Sequence, residues 1–430
     1  MKSKRFLALA LALTLLFALL SGCNSADSAD DNKPSDPGTS APADSGAEGA
    51  PDISDIPAGE PIKIGHIVDL TGVEAMTGEE YKRAVEFAVE SLGGQIAGHP
   101  VEIIIGDAQN QSSVAVDVAR KMVENDGVVA ILGPTQVGQK AAVAEYIKTV
   151  GIPLIFYNPT PTGLLMGNDW VVGANGGTPQ MPSVMADYAY NVLGYRTVHT
   201  ISMDNAGGRS FIDPFVETFT ALGGKVLSQQ WMPMPCGDVA PYLIALEDAD
   251  ALVAWNSGSD AMQIWKGWYD LGLYKRMPIL ATMHGGFTDY FIADALSENA
   301  PEVADAMVGT YAAMMYAKDV NTPESEELLN AWVEKYGEEP RFVAAGSCSQ
   351  AVYLLNAAIE SLDGDTSPDK LIDAIFAADF TGPEGHTFFE NSPAATKDVY
   401  VMKVVKREDG SFDHELVETY QDVPPTGLEN

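Results

Sequence analysis

The chain is poor in cysteine, histidine and positive charge, and each shortage removes a class of function. Three cysteines stand in 430 residues, at 23, 236 and 348, too few for a disulfide scaffold or a cysteine-rich metal site. Two unpaired buried thiols, Cys236 and Cys348, are the expectation. Six histidines are scattered without a His-x-x-x-His pair, so the sequence offers no catalytic metal centre. Lys and Arg number 25 against 60 Asp and Glu, a net charge of −35 that excludes a broad nucleic-acid surface. The same acidity serves solubility equally well. Glycine is plentiful, yet no stretch makes a phosphate loop. In "GPTQVGQKAA" (133–142) Lys140 is followed by Ala141, which has no hydroxyl for a magnesium ion. "GANGG" (173–177) and "GGR" (207–209) do not open a helix after the first strand, as a dinucleotide fingerprint would. "NSGSD" (256–260) lacks the glycine that a Gly-x-Ser-x-Gly hydrolase elbow needs. No cofactor is called for, and the sequence does not read as that of an enzyme.

Apolar runs are short, and the one near the start, "FLALALALTLLFALL" (6–20), is too short to span a bilayer comfortably. It follows Lys2, Lys4 and Arg5 and ends in Leu20-Ser21-Gly22-Cys23. That order reads as a signal peptide over 1–22. The Leu-Ser-Gly-Cys end resembles the lipobox of bacterial lipoproteins, which implies that Cys23 is acylated and anchors the protein to the outer face of the cell membrane. Cleavage would remove Lys2, Lys4 and Arg5 and take the charge from −35 to −38. Residues 23–60, rich in Ser, Ala, Asp, Pro and Gly, have almost nothing to bury and read as a disordered acidic tether. Its reach is on the order of 35 Å.

From Pro61 onward β-branched runs alternate with helical segments. "IKIGHIVDL" (62–70) is a strand; Thr77 and Glu80 suggest a capping box, and Gly93-Gly94 closes the helix. "VEIIIGDAQ" (101–109), "VVAIL" (128–132) and "IPLIFYN" (152–158) are further strands with helices between them. A second pass begins near Thr178, with strands "TVHTISMD" (197–204), "KVLSQQWM" (225–232), "ADALVAWNS" (249–257) and "MPILATM" (277–283). The fold class is α/β, with two parallel-sheet lobes covered by helices.

In such sheets ligands bind beyond the carboxyl ends of the strands. The polar and aromatic residues at that edge are Thr71, Gln109, Thr135, Gln136, Tyr157, Asn158, Thr160, Thr162, Asp204, Trp255, Asn256 and His284, and all but Thr71 and Gln109 are the candidate ligand-binding residues. At 133–137 a strand runs directly into a helix. Free backbone N–H groups and a partial positive charge at that helix start suit an anion, and the Thr135 hydroxyl and Gln136 amide add donors without full charge. A carboxylate or carbonyl fits such a place better than a triphosphate. The simpler alternative is that Thr135 only caps the helix.

The stretch from "IVDLTGVEAMTGEEYKRAVEFAVESLGGQIAGHPVEIIIGDAQ" to "VVAILGPTQ" resembles the opening of the branched-chain amino-acid-binding family of ABC-transporter substrate-binding proteins. The likeness continues at "GIPLIFYNPTPT" (151–162), "SQAVYLLNAAIESL" (349–362) and "FTGPEGHTFFE" (380–390) and covers 61–430. It implies a type I periplasmic-binding fold: two Rossmann-like lobes, three crossover strands, and a ligand trapped between the lobes. The boundaries expected are 61–178 plus 310–378 for lobe 1 and 179–309 plus 379–430 for lobe 2. By the same likeness Thr135, Gln136, Thr160 and Thr162 hold a ligand carboxylate.

The second lobe departs from the family pattern. Ala206 stands where an aromatic is expected, His284-Gly285-Gly286 where an acid-bearing loop is expected, and Cys348 where Tyr is frequent. An α-ammonium would then have only Asp204 or Asp260 as partner, and a buried ammonium without an acid is costly. Trp255, Phe156 and Tyr157 point instead to a flat apolar or aromatic ligand, although strand-end aromatics also serve as ordinary core. The reading is a monomeric, lipid-anchored solute-binding protein that delivers an amino acid or related carboxylate or amide to an ABC permease and its ATPase subunits. The alternatives are a ligand sensor of the same fold signalling through a membrane partner, and an extracytoplasmic enzyme.

Overall fold

The computed structural model describes residues 56–428 except 58, 73, 257, 284–289, 317–321 and 341–343. The expected signal peptide, Cys23 and most of the expected tether lie outside the described residues, as does His284. Among the described residues no helix is long and apolar enough to cross a membrane.

Two sheets organise the chain. The first has six strands in the order β2-β3-β1-β4-β5-β6: β1 Ile62–Val68, β2 Gln95–Ile96, β3 His99–Asp107, β4 Ala130–Leu132, β5 Leu154–Phe156 and β6 Val171–Gly173. All are parallel except the short β2, which forms a tight pair with β3. Helices α1 (Ala75–Ser91), α2 (Ser112–Lys121), α3 (Val137–Val150) and α4 (Thr162–Leu165) make the crossovers. The sheet is covered on both faces, so its strands read as nearly continuous apolar runs. Ile62, Ile64 and Val68 of β1 join a core with α1 and the helix Ala344–Ser361, while Ile67 joins one with α2 and α3. α1 begins at Ala75, two residues before the expected cap, so Thr77 lies inside the helix and the capping box does not form.

The second sheet holds β7 Thr197–Met203, β8 Lys225–Met232, β9 Ala251–Trp255, β10 Ile279–Ala281, β11 Tyr311–Met314, β12 Asp379–Gly382, β13 Gly385–Phe388, β14 Thr396–Lys406 and β15 Phe412–Val423. Strands β7 to β11 are parallel and β12 to β15 antiparallel. Residues 311–314 therefore belong to this sheet, between β10 and β14, rather than to the first lobe as the expected boundary at 310 had it. Tyr311 to Met314 extend the parallel run because Ala312 and Ala313 bury fully there.

The chain passes between the sheets three times: after β6, after β11, and after the helix Pro368–Phe376. A buried polar chain ties these passages together. Asn175 donates to Ser347 Oγ at 2.9 Å, and Ser347 donates to Glu384 Oε1 at 2.8 Å. The other Glu384 oxygen pairs with Lys397, and both side chains are fully buried. Burial pushes Glu384 up and Lys397 down, and each opposes the shift of the other. Gln180 Nε2 donates to the Val423 carbonyl at 2.7 Å, fastening the first passage to the last strand.

Candidate functional site

The carboxyl ends of β1, β4 and β5 carry three loops on one edge of the first sheet. Gly133 follows β4 with φ +81°, and a Cβ there would stand 2.3 Å from the Ile67 carbonyl oxygen and 3.0 Å from the Tyr157 hydroxyl. Only glycine lets this loop pass so close to β1 and β5. Thr135 and Gln136 come next, half-buried, and Gln136 is the N-cap residue of α3 without a side-chain capping bond. The Thr135 hydroxyl therefore does not cap α3, and the start of α3 keeps unclaimed N–H groups.

Beneath the loops lies Lys140, 1% exposed, on the first turn of α3. Its ammonium donates to the Asn158 carbonyl at 3.2 Å, the Pro159 carbonyl at 3.4 Å and Thr160 Oγ1 at 2.8 Å. It also stands 4.9 Å from the centre of the Phe156 ring. Burial pulls its pKa well down. Three acceptors for three donor positions nevertheless suit the charged form, and the lysine fixes the 158–160 loop to α3.

This arrangement corrects two of the sequence expectations. Thr160 is fully buried, accepting from Lys140 and donating to the Asn158 carbonyl at 3.0 Å, so it braces the edge rather than facing it. Tyr157 is likewise fully buried, its hydroxyl 3.1 Å from His66 Nε2 and its ring stacked on Tyr81 at 5.1 Å. Burial raises the Tyr157 phenol far above its ordinary value and pushes the His66 imidazole down to about 3. A strand-end residue reveals its position in the sequence but not the face its side chain takes. Asn158 and Thr162 remain half-buried at the edge. Asn158 Nδ2 donates to the Thr135 carbonyl at 3.4 Å, joining the two loops.

On the second sheet Trp255 ends β9 and packs on Phe211 with ring centres 4.3 Å apart; its indole N–H has no partner. Asn256 beside it is fully buried. Met234, just beyond β8, is 53% exposed and adds an apolar side chain to this edge. Neither acid considered for an ammonium is available there. Asp204 is exposed and paired with Arg209 at 2.7 Å. Asp260 is buried and accepts from the Cys236 backbone N–H at 2.8 Å. Cys236 and Cys348 are both free thiols.

Sequence reasoning overlooked two acids on the first lobe. Asp69 directly follows β1 and is 1% exposed; Glu74 is the N-cap residue of α1. Burial first, and then the nearby Asp69 charge, raise the Glu74 pKa, with Thr77 and Gln136 opposing the shift. The signal was present in "IVDLTGVE", an acid at a strand end and another at a helix start, but the family pattern directed the search for an acid to the other lobe.

A family model described as periplasmic binding protein matches residues 61–410. The Leu/Ile/Val-binding protein homolog 6 of Brucella melitensis is 23% identical over 374 residues, covering 85% of this chain and 93% of that protein. Among solved structures, an ABC transporter substrate-binding protein from Sphaerobacter thermophilus superposes with a TM-score of 0.78 at 27% identity, over 85% of this chain and 99% of that one. A solute-binding protein of an ABC transporter from Rhodopseudomonas palustris BisB5, in complex with 3,4-dihydroxybenzoic acid, gives a TM-score of 0.75 at 23% identity, over 85% and 98%.

Proposed function

The chain belongs to the periplasmic binding protein family, and from that premise we propose that it is the extracytoplasmic solute-binding component of an ABC importer. It captures a small organic solute with a carboxylate or amide head between the two lobes and hands it unchanged to a permease and its ATPase subunits. Lobe 1 comprises 61–178 plus the helices after β11, and lobe 2 comprises 179–314 plus 379–430. The three passages between them act as the hinge. Closure brings the apolar edge around Trp255 and Met234 over the polar edge around Thr135 and Gln136. Cys23, acylated after removal of residues 1–22, holds the protein on the outer face of the membrane through the tether. More than one acyl chain gives stable anchoring where a single chain does not. The protein acts as a monomer.

The observation that carries this reading is the start of α3. A strand ends, a glycine turn follows, and half-buried Thr135 and Gln136 meet unclaimed backbone N–H groups at the strand ends where open α/β sheets bind ligands. These groups stabilise a carboxylate through hydrogen bonds to a charged acceptor, about 1.5–3 kcal/mol each. Thr135→Ala and Thr162→Ala should each weaken solute binding about tenfold or more in calorimetric titration while leaving thermal unfolding unchanged. Unaltered affinity in both variants would remove the site from this edge.

A further inference from the structure

Four sulfur atoms gather at the carboxyl ends of β7 and β8 in the second sheet. Met203 and Met232 end the two strands and are register partners, so their side chains leave the same face of the sheet. The chain then runs on as "MPMPC" (232–236), which returns Met234 and Cys236 to the same place. Cys236 Sγ stands 3.6 Å from Met232 Sδ and 3.3 Å from the Asp238 carbonyl oxygen. Asn205 Nδ2 donates to Met203 Sδ at 2.9 Å and reaches Met234 Sδ at 4.0 Å, so one amide lies between the other two thioethers. Met203 and Met232 are buried, Cys236 is half-buried and Met234 is exposed, which gives the group a floor and an open side.

Methionines that only fill a core set their sulfurs against carbon and aromatic rings. Here the sulfurs meet one another and an amide donor, and the lone pair that accepts a donor is the one that ligates a metal. The spacing suits a shared ion as well. Two bonds of about 2.3 Å at a trigonal or tetrahedral metal hold their sulfurs about 3.8–4.0 Å apart. Cys236 and Met232 stand close to that separation before any ion arrives. Support behind the thiol is in place: Asp260 Oδ2 accepts the Cys236 backbone N–H at 2.8 Å, and Gln263 Nε2 holds the other Asp260 oxygen at 3.4 Å. Thioethers suit soft ions and not hard ones, so one thiolate among thioethers selects a soft monovalent metal. We propose that Cys236 and Met232, completed by Met203 and Met234, form a binding site for Cu(I). As the sulfur–copper bond forms, the thiol proton leaves to water; the metal stays monovalent and no electron is transferred. The thiolate balances the single positive charge of the ion. Three of the four sulfurs are thioethers, which is why a count of cysteine and histidine passes over the site.

The test is anaerobic competition for Cu(I) against the coloured chelator bicinchoninate. The protein is the mature chain carrying Cys23→Ser, which removes the lipid-attachment thiol. Cys236→Ser, Met232→Leu and Cys348→Ala are run beside it, with thermal midpoints in the absence of metal reporting folding. Met232→Leu keeps the volume of the core, so a fall in its affinity reports the sulfur itself. The chain should take up one Cu(I). Binding should weaken about 100-fold or more in Cys236→Ser and about tenfold or more in Met232→Leu, and stay unchanged in Cys348→Ala. X-ray absorption of the loaded protein should show more than one sulfur neighbour at about 2.3 Å. Failure of the chain to draw Cu(I) from the chelator overturns the site. So does a loss in Cys236→Ser with none in Met232→Leu, the mark of a bare thiol. Equal affinity in all the variants overturns it too, because the metal is then held elsewhere.

Discussion

Acidification from pH 8 to pH 5 sets up a conflict at a single ring. His66 lies on β1 in the first-lobe core, fully buried, with Nε2 against the Tyr157 hydroxyl and Nδ1 without a partner. Desolvation pushes its pKa down to about 3, whereas an unfolded chain returns it to about 6.5. The folded value is depressed, so the unfolded state binds the proton first and stability falls as pH drops below 6.5 toward 3. Each pH unit in that window costs about 1.4 kcal/mol, which amounts to about 2 kcal/mol at pH 5. Domains of this kind are stable by about 5–15 kcal/mol, so the loss is readily measured. Urea unfolding at pH 8 and pH 5 on the protein and on His66→Gln provides the comparison, because carboxylates titrate alike in both. The pH-dependent loss should be about 2 kcal/mol smaller in the variant. Equal losses, or an NMR titration placing the His66 midpoint above 5.5, would refute the argument.

Three further outcomes follow from buried or paired charges. Lys140→Met frees the 158–160 loop from α3 and leaves the acceptors at Asn158, Pro159 and Thr160 unmet, so solute affinity should fall at least tenfold, about 1.4 kcal/mol; calorimetry showing unchanged affinity would contradict the bracing role. At the hinge, Lys397→Met strands the buried Glu384 and should cost about 3–5 kcal/mol in denaturant unfolding, while pairing it with Glu384→Leu should recover most of that loss. Equal destabilisation in the single and double variants would show that the ion pair is not the unit. His386 bonds to Asp379 at 2.9 Å and Asp422 at 2.8 Å, chiefly Asp379 raising its pKa. Its folded value exceeds 6.5, so its small contribution is complete below that pH and disappears as pH rises through the folded value. NMR should show the midpoint elevated, and lowered again by Asp379→Asn.

The layered α/β fold was legible because its strands are buried on both faces and its helices end at left-handed glycines such as Gly127 and Gly151, with φ near +70°. The loop at 133–136 was legible for the same reason: apolar strand, glycine, then helix. Less visible was anything set by partners far away in sequence. β11 joins the second sheet through pairing with β10 and β14, and the long β14–β15 ribbon carries no short motif of its own. Thr160 and Tyr157 were placed at the right edge, but only the fold shows that Lys140 and His66 claim their hydroxyls. Lys140 itself entered the sequence reading only as a failed phosphate loop. Asp69 has meaning because the start of α2 and α3 converge on it, bringing the Asn110 backbone N–H and Gln139 to its carboxylate.

The two lobes should capture a solute and close on it without altering it. Small-angle scattering of the mature chain, free and saturated with a ligand found by calorimetry, tests this directly when the ligand is afterwards recovered by heat denaturation and weighed by mass spectrometry. One ligand per chain, a smaller radius of gyration when bound, and recovery of the same compound are expected. An unchanged radius at full occupancy, or a ligand returned with altered mass, would contradict it.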